Sequence, residues 1–384
     1  MFICFNTPHN DLIVDFLLKA FRSASRGSKV CGSVMSWSDI EATEALENIR
    51  ENRNLEYNFA AGKEGADIKP EIRKFFSSLN DSVIRAKDPD GLKNHNKFFL
   101  FEELDFQMLA RGNPTLAVGV QPEQPCPALY LASANITDTA REKHNNAILI
   151  PITVEICRAI SDYYQDLLSE YKKVGIFNNT VENRYATYKS DICKIYFYPR
   201  RPSSGEFIDT LEGVLKNIQH YEVEGLNSTC EIRIVVPGWY NNRIGIAKAL
   251  THIKGNNTNA RIAVIGRPVS TNDIDMGGDI YNELTGANSD SLNKGDIEIF
   301  FQDSDNDVNI HSKYMLVHAP YKTSSGGYKM QKLVWMGSPN YSRAAIIEHW
   351  EMLCKLYEDS GAYDRYLKNF RNLITSGSAY KDAN

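Results

Sequence analysis

The sequence predicts an α/β protein made of two pseudo-repeated halves, each a mixed sheet flanked by helices. Three observations predict it. Strand-like and helix-like segments alternate along the chain, and their order occurs twice. The 384 residues, 42% hydrophobic and 11% aromatic, are enough for two ordinary cores.

The repeat can be read segment by segment. "FICFNTPHNDLIVDFLLKAFRSA" matches "IYFYPRRPSSGEFIDTLEGVLKNI": an aromatic strand, a polar turn, then a helix with apolar residues at helical spacing. "KVCGSVMSWSDIEATEALENI" matches "EIRIVVPGWYNNRIGIAKALTHI": a strand ending on Trp37 or Trp239, a turn, and a second helix. The two tryptophans read as repeated core or rim positions. "LEYNFAAG" and "ARIAVIG" supply a third strand, and "ALYLASANIT" and "LVWMGSPNYS" a later one. Both halves close on a helix, "TVEICRAISDYYQDLLSEYKK" and "GAYDRYLKNFRNLIT". The halves are expected at 1–173 and 192–384, joined by a polar linker at 174–191. Two stretches without periodicity, Gly62–Asn94 and Ser270–Gly295, are expected to form rims of a site.

A net charge of −5 and a pI near 6.0 argue against bulk nucleic-acid binding, while allowing a local positive groove. The seven cysteines are scattered without a CxxC, which reads as buried thiols rather than a zinc site. No apolar run approaches the length of a membrane span. "MFICFNTPHNDL" reads as a strand, not a signal peptide, so a soluble chain is expected, cytoplasmic or secreted after processing.

Two short stretches carry the chemistry. "HNKFFLF" begins at His95 and "HSKYMLV" at His311. In each, histidine and lysine two residues apart share one face at the mouth of an apolar strand. Each is followed by a segment ending on an asparagine, Asn135 or Asn340. Eleven residues later stand Asn146 and Glu351 respectively. The same few polar residues at strand ends of both halves point to one site shared across a pseudo-two-fold axis.

That set suits phosphodiester transfer. Lys97 and Lys313 supply fixed positive charge to the non-bridging oxygens, and the amides of Asn135 and Asn340 donate to them as charge develops. Two histidines on opposite sides of the phosphorus act in line, one as nucleophile and one as general acid. The lysines do the charge work, so no metal and no cofactor is expected.

These residues resemble the phospholipase D superfamily, whose signature is H-x-K-x4-D followed by a G/S-S-x-N segment. "HNKFFLFE" and "HSKYMLVH" are similar to its signature strands, "ASAN" and "MGSPN" to its asparagine segments. "HNKFFLF", "SANIT…HNNAILI" and "YFYPR" are further similar to a bacterial branch of phospholipase D-like proteins. The resemblance implies Ser133 and Ser338 beside the phosphate, with Asn146 and Glu102 in supporting positions. It also implies a metal-independent hydrolase that works through a phosphohistidine. The chain departs from the family's acidic position, which holds Glu102 in the first half and His318 in the second.

The difference between Glu351 and Asn146 (or Asn145) predicts roles. A carboxylate beside a histidine favours the imidazolium more than an amide does. Glu351 is therefore expected behind His311, the general acid, leaving His95 as nucleophile. His349 and His318 are expected to be supporting or structural, and Arg267 to reach the site from a strand end.

Three functions fit: a phospholipase or transphosphatidylase, a nuclease or nucleotide phosphodiesterase, and a catalytically inactive phosphate- or lipid-binding module. Retention of both histidine–lysine pairs favours an enzyme. The acidic charge leans towards a phospholipid headgroup, with peripheral membrane contact. Because one chain supplies both motifs, a monomer without a stable protein partner is expected.

Overall fold

The computed structural model describes residues 1–7, 12–62, 68–85, 93–172, 188–200, 209–218, 229–269, 275–287, 297–303, 309–322, 326–357 and 361–382. The first half runs β1 (Phe2–Asn6), α1 (Leu12–Ser23), β2 (Lys29–Val34), α2 (Ile40–Arg53), β3 (Glu56–Gly62), α3 (Pro70–Ser77), β4 (Val83–Arg85), β5 (Lys93–Asn94), β6 (Lys97–Leu104), α4 (Phe106–Gly112), β7 (Cys126–Ala132), β8 (Lys143–Pro151) and α5 (Val154–Lys172). The second runs β9 (Tyr188–Lys189), β10 (Cys193–Tyr198), α6 (Thr210–Lys216), β11 (Glu231–Val235), α7 (Ile244–Asn256), β12 (Arg261–Gly266), α8 (Gly278–Thr285), β13 (Glu298–Gln302), β14 (Asn309–Ile310), β15 (Tyr314–Lys322), β16 (Tyr328–Gly337), α9 (Ala344–Ile347), β17 (His349–Leu356), α10 (Ala362–Thr375) and β18 (Ala379–Lys381).

The expected duplication is present. The sheets run β1-β8-β7-β6-β2-β3-β4 and β10-β17-β16-β15-β11-β12-β13, the second extended by β18 and β9 at its edges. In each, β2–β3 and β11–β12 are parallel, whereas the strands bearing the motifs pair antiparallel with their neighbours. Most of the linker expected at 174–191 lies outside the described residues, as do large parts of both expected rim stretches. What is described of the rims includes α3 and α8, two short amphipathic helices.

Local chemistry explains the helix boundaries. Asp39 caps α2, its carboxylate accepting the Ala42 N–H, and Asn54 ends that helix in the left-handed region at φ 54°. Asp209 caps α6 in the same way, accepting from Leu211 and Glu212. Trp37 and Trp239 are core residues, each 1% exposed. Their indoles donate to Thr43 Oγ1 and to the Arg243 carbonyl.

The two sheets face one another. Ile148 and Ile150 of β8 and Leu129 and Leu131 of β7 point inward, as do Ile195 and Phe197 of β10 and Met352 and Cys354 of β17. Helices α5 and α10 fill the space between, through Tyr163, Tyr164 and Leu167 and through Tyr366 and Phe370. Alternate residues, such as Leu149 and Tyr130 or Leu353 and Trp335, pack outward under the other helices. The strands are buried on both faces, so they read as continuous apolar runs. All seven cysteines are free thiols. No helix among the described residues is long and apolar enough to cross a membrane.

The halves also exchange strands. β5, from the first half, pairs in parallel with β17 of the second, and β14, from the second, pairs in parallel with β8 of the first. Each motif is therefore threaded through the opposite sheet before joining its own.

Candidate active site

The strand exchange positions both histidines. The His95 N–H donates to the Trp350 carbonyl at 3.0 Å, and the His311 N–H to the His144 carbonyl at 2.8 Å. These equivalent bonds fix the register: His144 corresponds to Trp350, and Asn145 to Glu351. Two residues on, each lysine folds back on its own histidine. Lys97 Nζ donates to the His95 carbonyl at 2.7 Å, and Lys313 Nζ to the His311 carbonyl at 3.0 Å. Lys313 Nζ also lies 3.3 Å from His311 Nε2. Both lysines are buried, at 1% and 2% exposure.

Each histidine is held by the other half. His95 Nδ1 lies 2.6 Å from Glu351 Oε1, and the carboxylate is fully buried. His311 Nδ1 lies 3.1 Å from Asn145 Oδ1. The Asn145 amide nitrogen donates to the Ala140 and Lys143 carbonyls, which turns its oxygen towards His311. An oxygen acceptor there requires the proton on Nδ1 and leaves Nε2 with a lone pair.

This geometry corrects the expected pairing: Glu351 stands behind His95, not His311. The count of eleven residues failed because the connection is one residue shorter in the first half. From Ser133 to Asn145 is twelve residues, from Ser338 to Glu351 thirteen. Asn146 points the other way along β8. Its Oδ1 accepts the backbone N–H of Lys313 at 3.0 Å, and its amide nitrogen reaches the Tyr366 hydroxyl at 3.4 Å. It orients the Lys313 backbone rather than an imidazole.

Three further expectations change. Ser133 and Ser338 are fully buried, and their hydroxyls are engaged behind the histidines. Ser133 Oγ donates to Asn145 Oδ1 at 3.0 Å and accepts the Asn146 N–H at 3.0 Å. Ser338 Oγ accepts the Met352 N–H at 3.3 Å and bonds to Glu351. Glu102 is exposed on β6, accepting the Lys29 N–H at 3.1 Å. Seven residues of strand, roughly 23 Å, separate it from His95. His318, at the matching place on β15, packs near the Tyr363 ring.

Asn135 and Asn340 follow the buried serines at the ends of β7 and β16, both half-buried. Asn135 Oδ1 accepts the Ser36 N–H at 3.3 Å, so its amide hydrogens face elsewhere. The Asn340 backbone carbonyl accepts from Arg243 at 3.3 Å.

The charges around this constellation are one-sided. Burial pushes the Lys313 ammonium well below its usual pKa, assisted by Lys97, while Glu351 opposes the shift. Burial, then Lys313, Lys97 and Lys143, hold His311 well below the ordinary histidine range, so it is neutral at pH 7. Burial raises Glu351 to about 7, against Lys97, His349, Ser338 and Lys313. His349 lies 4.0 Å from the same carboxylate oxygen and is lowered to about 4, chiefly by burial. Arg267, 15% exposed, bonds to Asn309 Oδ1 at 3.1 Å, and its charge adds to burial in lowering the Lys143 ammonium. Lys143 is the residue sequence reasoning missed, and Asn145, its alternative to Asn146, is the one that meets His311. Their signal was the "KHNN" run, whose register depended on the shorter connection. An apolar shell, one carboxylate and several crowded cations make a cradle for an anion. Among the described residues no group of three histidine, cysteine or acidic side chains is placed to hold a metal.

No family model matches the sequence, and no curated protein matches it. Solved structures do. A phosphatidylserine synthase from Haemophilus influenzae matches with a TM-score of 0.62 at 10% identity, over 99% of this chain and 87% of that one. A polyphosphate kinase from Porphyromonas gingivalis matches with a TM-score of 0.59 at 12% identity, over 99% of this chain and 48% of that one. The chain thus spans about half the length of the kinase. Nuc from Salmonella typhimurium, a phospholipase D family member, matches 49% of this chain and 97% of its own, with a TM-score of 0.32 at 13% identity. Over its full length, then, the chain shares the two-half α/β fold of the phosphatidylserine synthase and polyphosphate kinase structures.

Proposed function

We propose that the protein is a metal-independent phosphodiesterase acting through a phosphohistidine, with a phospholipid headgroup ester as substrate. The observation that carries this reading is the convergence of His95–Lys97 and His311–Lys313, with each imidazole held at Nδ1 by the opposite half. The likeness to a phosphatidylserine synthase across both chains supports phospholipid over nucleic acid.

In this reading the phosphodiester anion sits between Lys97 and Lys313, with Asn135 and Asn340 donating to its oxygens. His95 Nε2 attacks phosphorus; a P–N bond forms and the P–O bond to the leaving alcohol breaks. Glu351 keeps the His95 proton on Nδ1, exposes the Nε2 lone pair and balances the positive charge that grows on the ring. His95 thus keeps the nucleophile's role for a different reason from the one the sequence supplied. His311 serves the leaving oxygen. The bound substrate anion offsets the cations that depress it, so it can protonate the alcohol as the P–O bond breaks. Water then attacks the phosphohistidine, gives its proton to His311 Nε2, and breaks the P–N bond.

The test is mass spectrometry of enzyme quenched during turnover of phosphatidylcholine vesicles and, separately, of a single-stranded oligonucleotide. Acid-labile, base-stable phosphate on His95 with the lipid is the expected result. Label on His311, or on neither histidine with any diester, overturns the mechanism; label only with the oligonucleotide overturns the substrate.

A further inference from the structure

A cavity of about 520 Å³ opens between the end of β1, the start of β8 and helix α10, away from the catalytic lysines. His144, Arg365, Lys368, Asn369 and Asn372 supply its polar wall, and Phe5 and Leu373 part of its apolar one. No acidic side chain of the described residues lines it. We propose that this cavity binds a phosphate-bearing organic anion with an apolar body.

The pseudo-two-fold supplies an internal control. The equivalents of Phe5, His144 and Tyr366 are Phe197, Trp350 and Tyr163. The Trp350 indole is 2% exposed and packs 5.2 Å from the Tyr163 ring, which lies 4.8 Å from Phe197. Phe5 and Tyr366 keep the same contact, at 4.9 Å. Where one half has the indole, the other has the smaller imidazole at the wall of an open space. The helices differ in parallel. Counting from the matched tyrosines, Asp162 and Asp166 of α5 correspond to Arg365 and Asn369 of α10. The helix face that carries Asp162 and Asp166 in the first half carries Arg365 and Asn369 where the cavity lies.

The donors are oriented for an anion. Asn369 Oδ1 accepts the Tyr314 hydroxyl at 2.8 Å, so its amide hydrogens are left for another acceptor. Arg365 is steadied by one nitrogen on the Thr115 carbonyl at 2.7 Å, with the rest of its fork unspent in this bond. Lys368 is exposed at the rim. Two cations and two amides offer more donors than a carboxylate's pair of oxygens takes, and match the three of a phosphomonoester. The volume is that of an ordinary small-ligand site, roughly 300–1,000 Å³. The His144 carbonyl also accepts the His311 N–H at 2.8 Å and the Ser312 hydroxyl at 3.2 Å. A ligand against His144 therefore sits one peptide unit from a catalytic strand.

Calorimetry with phenyl phosphate tests this, whatever the chemistry at His95 and His311. A Lys313→Met background weakens phosphate binding at the catalytic cradle. Saturable one-to-one binding should persist in it, fall at least about tenfold when Lys368→Glu is added, and vanish when His144→Trp restores the other half's indole. Absence of saturable binding in both the wild type and Lys313→Met overturns the site, as does binding that survives both added substitutions. If circular dichroism shows that the His144→Trp protein is unfolded, the exposed Lys368→Glu decides alone.

Discussion

The Glu351 carboxylate, on a strand of the second half, lies 2.6 Å from Nδ1 of His95, which enters the first half's sheet two residues later. His311 has an amide oxygen, Asn145 Oδ1, at the equivalent point. The pseudo-symmetric site is thus electrically asymmetric. One imidazole has a carboxylate to balance a positive charge, and the other has only a dipole. In the proposed mechanism His95 acquires positive charge as its P–N bond forms, and Glu351 is the carboxylate placed to balance it.

Glu351 should set the acid limb of the pH profile. Its pKa is raised to about 7, principally by burial, and it must be ionised to balance the His95 ring. The value of kcat/KM should rise with pH through about 7. Glu351→Gln should lower the rate ~100-fold or more and flatten that limb. A limb that persists in the variant assigns it to another group.

His311 and His95 should fail differently. His311→Ala should recover ~100- to 10,000-fold on a nitrophenyl phosphodiester, whose leaving group needs no proton. His95→Ala should not recover, because no covalent step remains. Steady-state rates on the activated and natural esters decide; equal rescue of both variants removes the distinction.

Chelation should leave activity intact. With lysines in place of a cation, excess EDTA followed by dialysis should change the rate less than about twofold, well under the tenfold that ~1.4 kcal/mol represents. Activity lost on chelation and restored by magnesium or zinc rejects the mechanism.

Lys355 offers a stability test remote from catalysis. The residue is 7% exposed, and its ammonium lies among the Tyr321, Trp335 and Tyr357 rings, each about 5 Å away. Burial, with Lys194 and Lys189, lowers its pKa to about 8. Below that pH both folded and unfolded chains carry the charge, and the folded state bears the full cost. Between about 8 and the ordinary lysine value the folded chain sheds the proton first, so stability rises with pH. Lys355→Met should therefore raise the Tm at pH 7, by an effect on the order of 1–3 kcal/mol, and its advantage should shrink towards pH 10. Melting curves across that range check the sign.

The sequence by itself determined the duplication, the α/β class and the four basic and imidazole side chains at the strand mouths. Those are local properties: alternation, helical spacing and a motif in which His95 and Lys97, or His311 and Lys313, must share a face. It also marked Glu351 as unlike its counterpart. Only the tertiary structure decided which histidine Glu351 serves. That depends on β5 and β14 pairing with the opposite sheets, a contact between residues more than 160 positions apart, and on a connection one residue shorter in the first half. A one-residue offset in a strand turns every side chain to the other face, which is why Asn145 meets His311 while Asn146 meets Lys313. The burial of Ser133 and Ser338, the exposure of Glu102 and the space beside His144 belong to the same level. Each follows from what the opposite half or a packed helix places against the residue, and no local pattern carries that information.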